Sequence, residues 1–194
     1  MQANKYIGDE SFIKMLEHYS CPTPLNVIKM RFAGAICSPN LNLRPTDVIS
    51  SFWENGRAPR LETKSEADLF FKFFMGLWDD IFESIKLAKV KLPNLKEKDI
   101  VSYCQNRFEE VEHGYVEGFF GGEENLKMPG YIAQIVDSLS EMALLYQKIA
   151  AKGETSTATW DAVKHTDKVV ERSIAFIIEN SVIPRIEDIK RTVN

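Results

Sequence analysis

Cysteine is scarce in this chain, and its placement excludes two common kinds of small stabilised domain. The sequence has three cysteines, Cys21, Cys37 and Cys104, at wide spacing and without a C-x-x-C pair. An odd number at such spacing predicts neither a disulfide framework nor a structural zinc site. A reducing compartment is the natural setting for these thiols, so the sequence predicts a cytoplasmic protein.

Long hydrophobic runs are also missing. No stretch approaches the ~18 consecutive apolar residues of a membrane span, and the closest, from Leu69 to Trp78, is interrupted by Lys72. The residues that follow Met1 contain no apolar segment of the kind found in a secretory signal. The sequence therefore predicts no membrane partner.

Local signatures of common enzymes do not occur either. The chain has neither a G-x-S-x-G motif nor a phosphate-binding P-loop. The segment Gly118-Phe-Phe-Gly121-Gly122 differs from G-x-G-x-x-G and does not follow a strand, so it does not indicate nucleotide binding. No cofactor is predicted.

An excess of positive charge is the next feature that the chain lacks. It has 24 basic and 28 acidic residues, for a net charge of −4. Nucleic-acid binding usually needs a basic domain or stripe, so this balance argues against such a partner. The densest basic run straddles Pro93 and is interpreted as a solvated loop between helices. It consists of Lys86, Lys89, Lys91, Lys96 and Lys98.

What the chain does have is helical periodicity, divided by proline and glycine. Its 194 residues suit one domain, and we expect a single helical domain over residues 1–194. The predicted fold class is all-α, a compact bundle of about six to eight helices around a central aromatic-rich helix. Pro184 is expected to end the last long helix. The core is predicted to centre on residues 69–85 of the aromatic-rich helix, packed by helices at 97–120, 130–151 and 158–180.

The central helix is predicted from its start signal and its apolar character. Ser65-Glu66-Ala67-Asp68 resembles a capping box. Apolar residues then occupy all but one narrow stripe of the helix, which indicates that several neighbours cover it. In the next long helix, Gly114 and Gly118 lie four residues apart. They predict a close approach, either of a ligand or partner backbone or, as we favour, of another helix of the same domain.

Several of these segments resemble a known family. Arg31-Phe-Ala-Gly34-Ala-Ile-Cys-Ser-Pro39 is followed by Pro45 and Trp53, then by Ser65-Glu66-Ala67 before the aromatic helix. Together with the segment Tyr115-Val-Glu-Gly118-Phe-Phe-Gly121, this pattern resembles the YecA/YgfB-like family of small bacterial proteins over residues 25–150.

The resemblance implies an all-α fold and a bacterial cytoplasmic origin. It supplies no catalytic residue. The family's tryptophan-cysteine pair before the later glycine is not found here. Some relatives carry a cysteine-rich metal-binding tail, but no cysteine follows Cys104, so that activity does not carry over.

One metal-binding pattern is weighed as an alternative. Glu110-Val-Glu-His113 matches the Glu-x-x-His spacing that places two ligands on one helical face in ferritin-like bundles. If Cys104, Val111 and Tyr115 define the buried side of this helix, Glu110 and His113 project away from it.

Asp161 and His165 are four residues apart on a later helix and are also expected to point outward. A joint site with Glu110 and His113 requires the two helices to meet by their polar faces. The alternative function is therefore a metal-dependent enzyme that uses these four residues.

The preferred hypothesis is a non-enzymatic protein-interaction or regulatory module. One helix carries many acidic residues on its outer side, which are either simply solvated or dock a basic partner. Phe119 and Phe120 are adjacent, so a helix cannot turn both into one core, and one is expected at the surface. Self-association is left open. The predicted interaction residues are Glu109, Glu112, Glu117, Phe119 and Phe120, with Glu110, Glu123 and Glu124 in the same acidic stretch.

Overall fold

Helices make up all the regular structure in the part of the chain that the computed structural model describes, residues 5–193. Seven helices lie in this range, with one short 3-10 turn at Glu54–Gly56 between α3 and α4. The all-α class and the predicted number of helices are therefore confirmed. The helices are α1 (Asp9–His18), α2 (Leu25–Cys37), α3 (Pro45–Ser50), α4 (Lys64–Lys86), α5 (100–120), α6 (Gly130–Lys152) and α7 (157–193).

Two of the long helices contain a π-helical segment, in which each hydrogen bond spans five residues rather than four. In α5 the π segment is Glu109–Val116, between α-helical turns at Ile100–Phe108 and Glu117–Phe120. In α7 it is Ile178–Val182. Such segments are rare, and they change which residues share a face of the helix.

The prediction that Pro184 ends the last long helix is wrong. The helix continues through it to residue 193. Proline lacks the N–H that the carbonyl of Asn180 would accept in a regular helix. Here the π segment precedes the proline, and the Asn180 carbonyl lies 3.5 Å from the hydroxyl of Tyr131, which donates to it.

The start of α4 differs by two residues from the predicted capping box. Thr63, not Ser65, is the N-cap, and its hydroxyl accepts the backbone N–H of Glu66 at 3.1 Å. The Glu66 carboxylate is engaged outside the helix. It accepts the backbone N–H of Glu62 at 2.7 Å and the Tyr19 hydroxyl at 3.2 Å.

The hydrophobic core consists of two clusters that share α2. The first, which we call the aromatic cluster, contains residues of α1, α2, α3 and α4. The second joins the other side of α2, and Ile85 near the end of α4, to α5, α6 and α7. Ten of the thirteen residues of α2 are buried, and the helix packs into both clusters from opposite sides. The rings at the centre of the aromatic cluster are Phe12, Phe32, Phe52, Phe70 and Phe74.

The aromatic-rich helix α4 supplies rings to the core, as predicted, but two apolar residues near its start face solvent. Phe70, Phe74 and Leu77 are buried. Leu69 is 55% exposed and Phe71 is 39% exposed. Leu69 and Phe71 lie near the start of α4, whereas the apolar residues further along it, such as Trp78, pack against the core.

Three glycines allow α2 and α5 to touch along their backbones. A Cβ atom at Gly34 would lie 2.0 Å from the backbone oxygen of Tyr115, and one at Gly118 would lie 2.2 Å from that of Arg31. At Gly114 it would lie 2.7 Å from the Cβ of Met30. Helix packing within the domain therefore accounts for the predicted close approach.

The helices α6 and α7 run antiparallel. Tyr131 at the start of α6 contacts the ring of Phe176 near the middle of α7, while the hydroxyl of Tyr146, later in α6, donates to Asp167, earlier in α7. No helix in the described range is both long and apolar enough to cross a membrane.

Arg185, in the last part of α7, forms hydrogen bonds with the C-terminal end of α2. Its guanidinium donates to the backbone oxygens of Ile36, at 3.1 Å, and Ser38, at 2.7 Å. These are carbonyls that a helix C-terminus leaves without partners in the helix itself. A cation at this position is also favoured by the helix dipole.

Candidate functional site

The predicted acidic surface borders a groove at the end of α5, which we call the acidic groove. It encloses about 720 Å³ between α2, α3, the C-terminal half of α5 and one residue of α6. Its apolar side chains are Leu43, Val48, Val116 and Phe120. Its carboxylates are those of Asp47, Glu112, Glu117, Glu123 and Glu124.

The glycine turn after α5 shapes one end of this groove. Gly121 has a φ of 56°, in the left-handed region that glycine adopts without strain. A Cβ atom there would lie 2.7 Å from the side chain of Leu43. Glycine thus follows the last residue of α5, at the predicted bound of residue 120, and allows Leu43 to come close to the turn.

The five predicted interaction residues separate into three groups. Glu112, Glu117 and Phe120 line the acidic groove, and Phe120 is half-buried there. Glu109 is exposed but is not part of the groove lining. The inclusion of Phe119 is corrected, because its ring is only 1% exposed and faces the core beside Tyr115.

The π segment of α5 explains why Glu112 and Glu117 line the same groove. In a regular α-helix, residues five apart differ in direction by about 140°. In a π-helix the backbone bond itself joins residues five apart, so their side chains project more nearly to the same side. Both glutamates accordingly reach the acidic groove.

Arg31 is the cation of the groove, and its donors are already engaged. Its Nε and one terminal nitrogen donate to the backbone oxygen of His113 at 2.9 and 2.5 Å. That terminal nitrogen also lies 2.6 Å from the carboxylate of Glu117, and the other donates to the Ser51 backbone oxygen at 3.1 Å. The second oxygen of Glu117 contacts Nδ1 of His113 at 2.6 Å. The charge of Glu117 is thus compensated within the protein.

Glu112 is in the opposite situation. The residue is half-buried, and its Oε2 is enclosed without a hydrogen-bond partner among the described residues. A carboxylate oxygen without a partner is costly when it is shielded from water. Glu112 is therefore the groove residue that gains most from a cation.

One predicted metal ligand, Glu110, lies on the wrong side of its helix for that role. The prediction that it points outward is wrong, because it is fully buried. Its carboxylate is paired with Arg107 and accepts the side-chain amide of Asn26 at 2.7 Å. The physical reason is that α5 buries two sides, and α2 covers the side that carries Glu110, Gly114 and Gly118.

The other three candidate ligands do face outward. The side chain of His113 is 41% exposed and contacts Glu117. Asp161 and His165 are exposed on α7. Within residues 5–193, no group of three or more histidine, cysteine, aspartate or glutamate side chains is placed to hold a metal ion.

A buried polar cluster around Arg107 was not predicted. The Arg107 guanidinium pairs with the carboxylate of Glu110 and donates to the Pro93 backbone oxygen at 2.9 Å. It also donates to the Tyr103 hydroxyl at 3.0 Å, and its Nε lies 3.2 Å from Asp167. These contacts tie α5 to α7 and to the loop before α5.

The two tyrosines of the cluster complete the hydrogen bonds of Asp167. The hydroxyls of Tyr103 and Tyr146 donate to its two oxygens at 2.5 and 2.7 Å. Burial raises the pKa of Glu110, although Arg107 opposes the shift. Burial lowers the pKa of Arg107, but its carboxylate neighbours outweigh this and leave it raised. The groups are thus occupied with one another inside the bundle.

The sequence did contain a signal for this cluster. Arg107 falls three residues after Cys104 and four before Val111, in the apolar stripe of its helix. Asp167 falls between Val163 and Val170 in the same way. A charge in a buried stripe requires an opposite charge nearby, so the two positions predict each other.

No protein-family model, curated protein or solved structure significantly matches this chain. Support for a function therefore comes from the geometry of the acidic groove.

Proposed function

We propose that this protein is a non-enzymatic interaction module that docks a basic segment of another protein in the acidic groove. The observation that carries the proposal is the half-buried ring of Phe120 in an apolar groove edged by five carboxylates. An aromatic residue surrounded by polar groups is the usual arrangement of an interface anchor.

The charge of the groove defines the partner. Arg31 is the one cation among its lining residues, and its donors are taken up by Glu117, His113 and Ser51. A segment that brings positive charge meets an opposite field, which speeds encounter and disfavours acidic competitors. Apolar side chains of the same segment would cover Leu43 and Phe120.

The polar groups elsewhere give less support to an enzyme. The Arg107 cluster brings several polar groups together, but its members bond to one another rather than to a cavity. Glu110, the first of the four proposed metal ligands, belongs to that cluster. The interaction module is therefore the function that we carry forward.

We extend the proposal to a bacterial cytoplasmic setting within the YecA/YgfB-like family. Its support is the sequence resemblance and the three dispersed thiols. The resembling segments contain Gly34 and Gly118, which lie at the contact between α2 and α5. The resemblance therefore concerns residues that pack α2 against α5, and it does not define the partner of the acidic groove.

The test is affinity capture from a bacterial lysate with three forms of the protein: wild type, Phe120→Asp and Phe71→Asp. Phe71 is an exposed phenylalanine on α4 outside the groove, so its variant controls for a new surface charge. We expect specific partners to be reduced at least about tenfold by Phe120→Asp and retained by Phe71→Asp. They should also elute with moderate salt.

Capture that is equal for the wild type and Phe120→Asp would contradict the proposal, as would the absence of any specific partner. Circular dichroism of both variants distinguishes loss of the groove from loss of the fold.

A further inference from the structure

The acidic groove contains one carboxylate that is suited to choosing among basic partners. We infer that Glu112 selects an arginine of the docked segment, while an apolar residue close to that arginine packs against Phe120. The inference rests on the proposed docking function and names the chemistry that the groove recognises.

The other carboxylates of the groove are less suited to this role. Glu117 is compensated by Arg31 and His113. The Asp47 carboxylate accepts the backbone N–H of Arg44 at 3.2 Å and so helps to start α3. Each of these two carboxylates already has a partner inside the protein, so pairing with an incoming cation would contribute less binding free energy.

The turn carboxylates at Glu123 and Glu124 are exposed. Pairs between exposed charges contribute little, because water and salt screen them. Glu112 differs in being half-buried with one enclosed oxygen that has no hydrogen-bond partner among the described side chains and backbone. Glu112 also lines the groove, so a cation docked there is the partner that this carboxylate lacks.

Arginine fits this carboxylate better than lysine does. A guanidinium is planar, gives up water more readily than an ammonium and can donate two parallel hydrogen bonds to one carboxylate. Its flat face also suits a position beside the ring of Phe120. A neutral residue at the same place would displace water from Glu112 without giving it a new partner. A segment with such a residue should therefore bind more weakly than one with arginine.

The experiment uses a phage-displayed library of random twelve-residue peptides, selected on the immobilised full-length protein. We expect the enriched peptides to share an arginine with an apolar residue within a few positions. The best peptide is then synthesised with a fluorescent label. Its affinity is measured by anisotropy for the wild type, Glu112→Gln, Glu109→Gln and Phe120→Asp.

Glu109→Gln is the matched control, because it removes one negative charge from the same helix outside the groove lining. We expect Glu112→Gln to weaken binding at least about tenfold, and Glu109→Gln by no more than about twofold. Replacing the peptide arginine with glutamine should weaken binding to the wild type and have little further effect on Glu112→Gln. Thermal unfolding of each variant shows that the fold is retained.

The outcomes separate this inference from the proposed function. Enriched peptides without arginine, or equal weakening by Glu112→Gln and Glu109→Gln, would overturn the role of Glu112 and leave docking in place. Peptides that bind wild type and Phe120→Asp equally, or no enrichment at all, would overturn both.

Discussion

Arg107 shows, at the scale of single residues, how charge is kept inside an apolar bundle. One guanidinium lies between the carboxylates of Glu110 and Asp167, and it is 5% exposed. Forming such a group costs desolvation, so its net contribution to stability is small or even negative. Removing only the cation is different, because two carboxylates then remain without compensation in the interior.

We therefore predict that Arg107→Met lowers the free energy of unfolding by about 3–5 kcal/mol. Methionine keeps much of the length of the side chain, so the effect comes mainly from the missing charge. Arg44→Met serves as the control, because the Arg44 side chain is 80% exposed, and it should change stability by no more than about 0.5 kcal/mol. Urea denaturation of both variants provides the measurement.

The pH dependence of the stability lost in Arg107→Met identifies the cause of that loss. Glu110 has a folded-state pKa above its ordinary value of 4.5, so the folded protein keeps this proton longer than the unfolded chain. The contribution of this group to stability is thus greatest below pH 4.5 and is lost as the pH rises through the folded-state pKa. Without Arg107 that pKa rises further, so the deficit of Arg107→Met should shrink as the pH falls towards 4.5. A deficit that does not change with pH would point to lost packing instead.

At the scale of secondary-structure elements, α5 shows which features could be predicted from the sequence. Its approximate bounds followed from local signals, above all Gly121 at its end. The direction of Glu110 did not, because a helical wheel assumes one buried side and a constant turn. The helix α5 buries two sides and widens over Glu109–Val116. Both properties depend on contact with α2, which is distant in sequence.

That contact gives a prediction about glycine. In Gly118→Ala the new Cβ would meet the Arg31 backbone oxygen, which cannot move aside without shifting α2. We expect the free energy of unfolding to fall by about 1–3 kcal/mol, as is usual for overpacking. Gly130→Ala at the start of α6 has open space around the added atom. It should be neutral, or stabilising by up to about 1 kcal/mol through helix propensity.

Thermal unfolding followed by circular dichroism compares the two alanine variants directly. Equal midpoints for Gly118→Ala and Gly130→Ala would show that α2 and α5 can separate at little cost.

At the scale of the whole molecule, the fold class could be predicted but the groove could not. Helical periodicity and punctuation by proline and glycine are local, and they were sufficient for the all-α bundle. The acidic groove joins residues from α2, α3, α5 and α6, among them Arg31 and Ser140. A sequence read segment by segment offers no way to bring such distant residues together. The same holds for the sharing of α2 by both hydrophobic clusters.

Because α2 belongs to both clusters, we predict that they unfold together. Trp53 lies in the aromatic cluster, and Trp160 packs at the second cluster beside Tyr103. Replacing Trp78 and one of the other two tryptophans with phenylalanine leaves a single fluorescent reporter in each cluster. The two denaturation curves should have the same midpoint, as expected for one cooperative transition.

Midpoints that differ between the two reporters would show that the clusters unfold independently. Curves from far-ultraviolet circular dichroism of the same proteins provide the reference for the whole helical content.

The bond between Arg185 and the end of α2 has a consequence for synthesis on the ribosome. Ile36 and Arg185 are 149 residues apart in the chain, so the carbonyls at the end of α2 receive this donor only after α3, α4, α5, α6 and most of α7 have been translated. Until then water must satisfy them, and the side of α2 that faces α7 stays uncovered. The nascent chain therefore exposes the apolar residues at the end of α2 while residues 38–185 are translated, and exposed apolar surface is what chaperones bind.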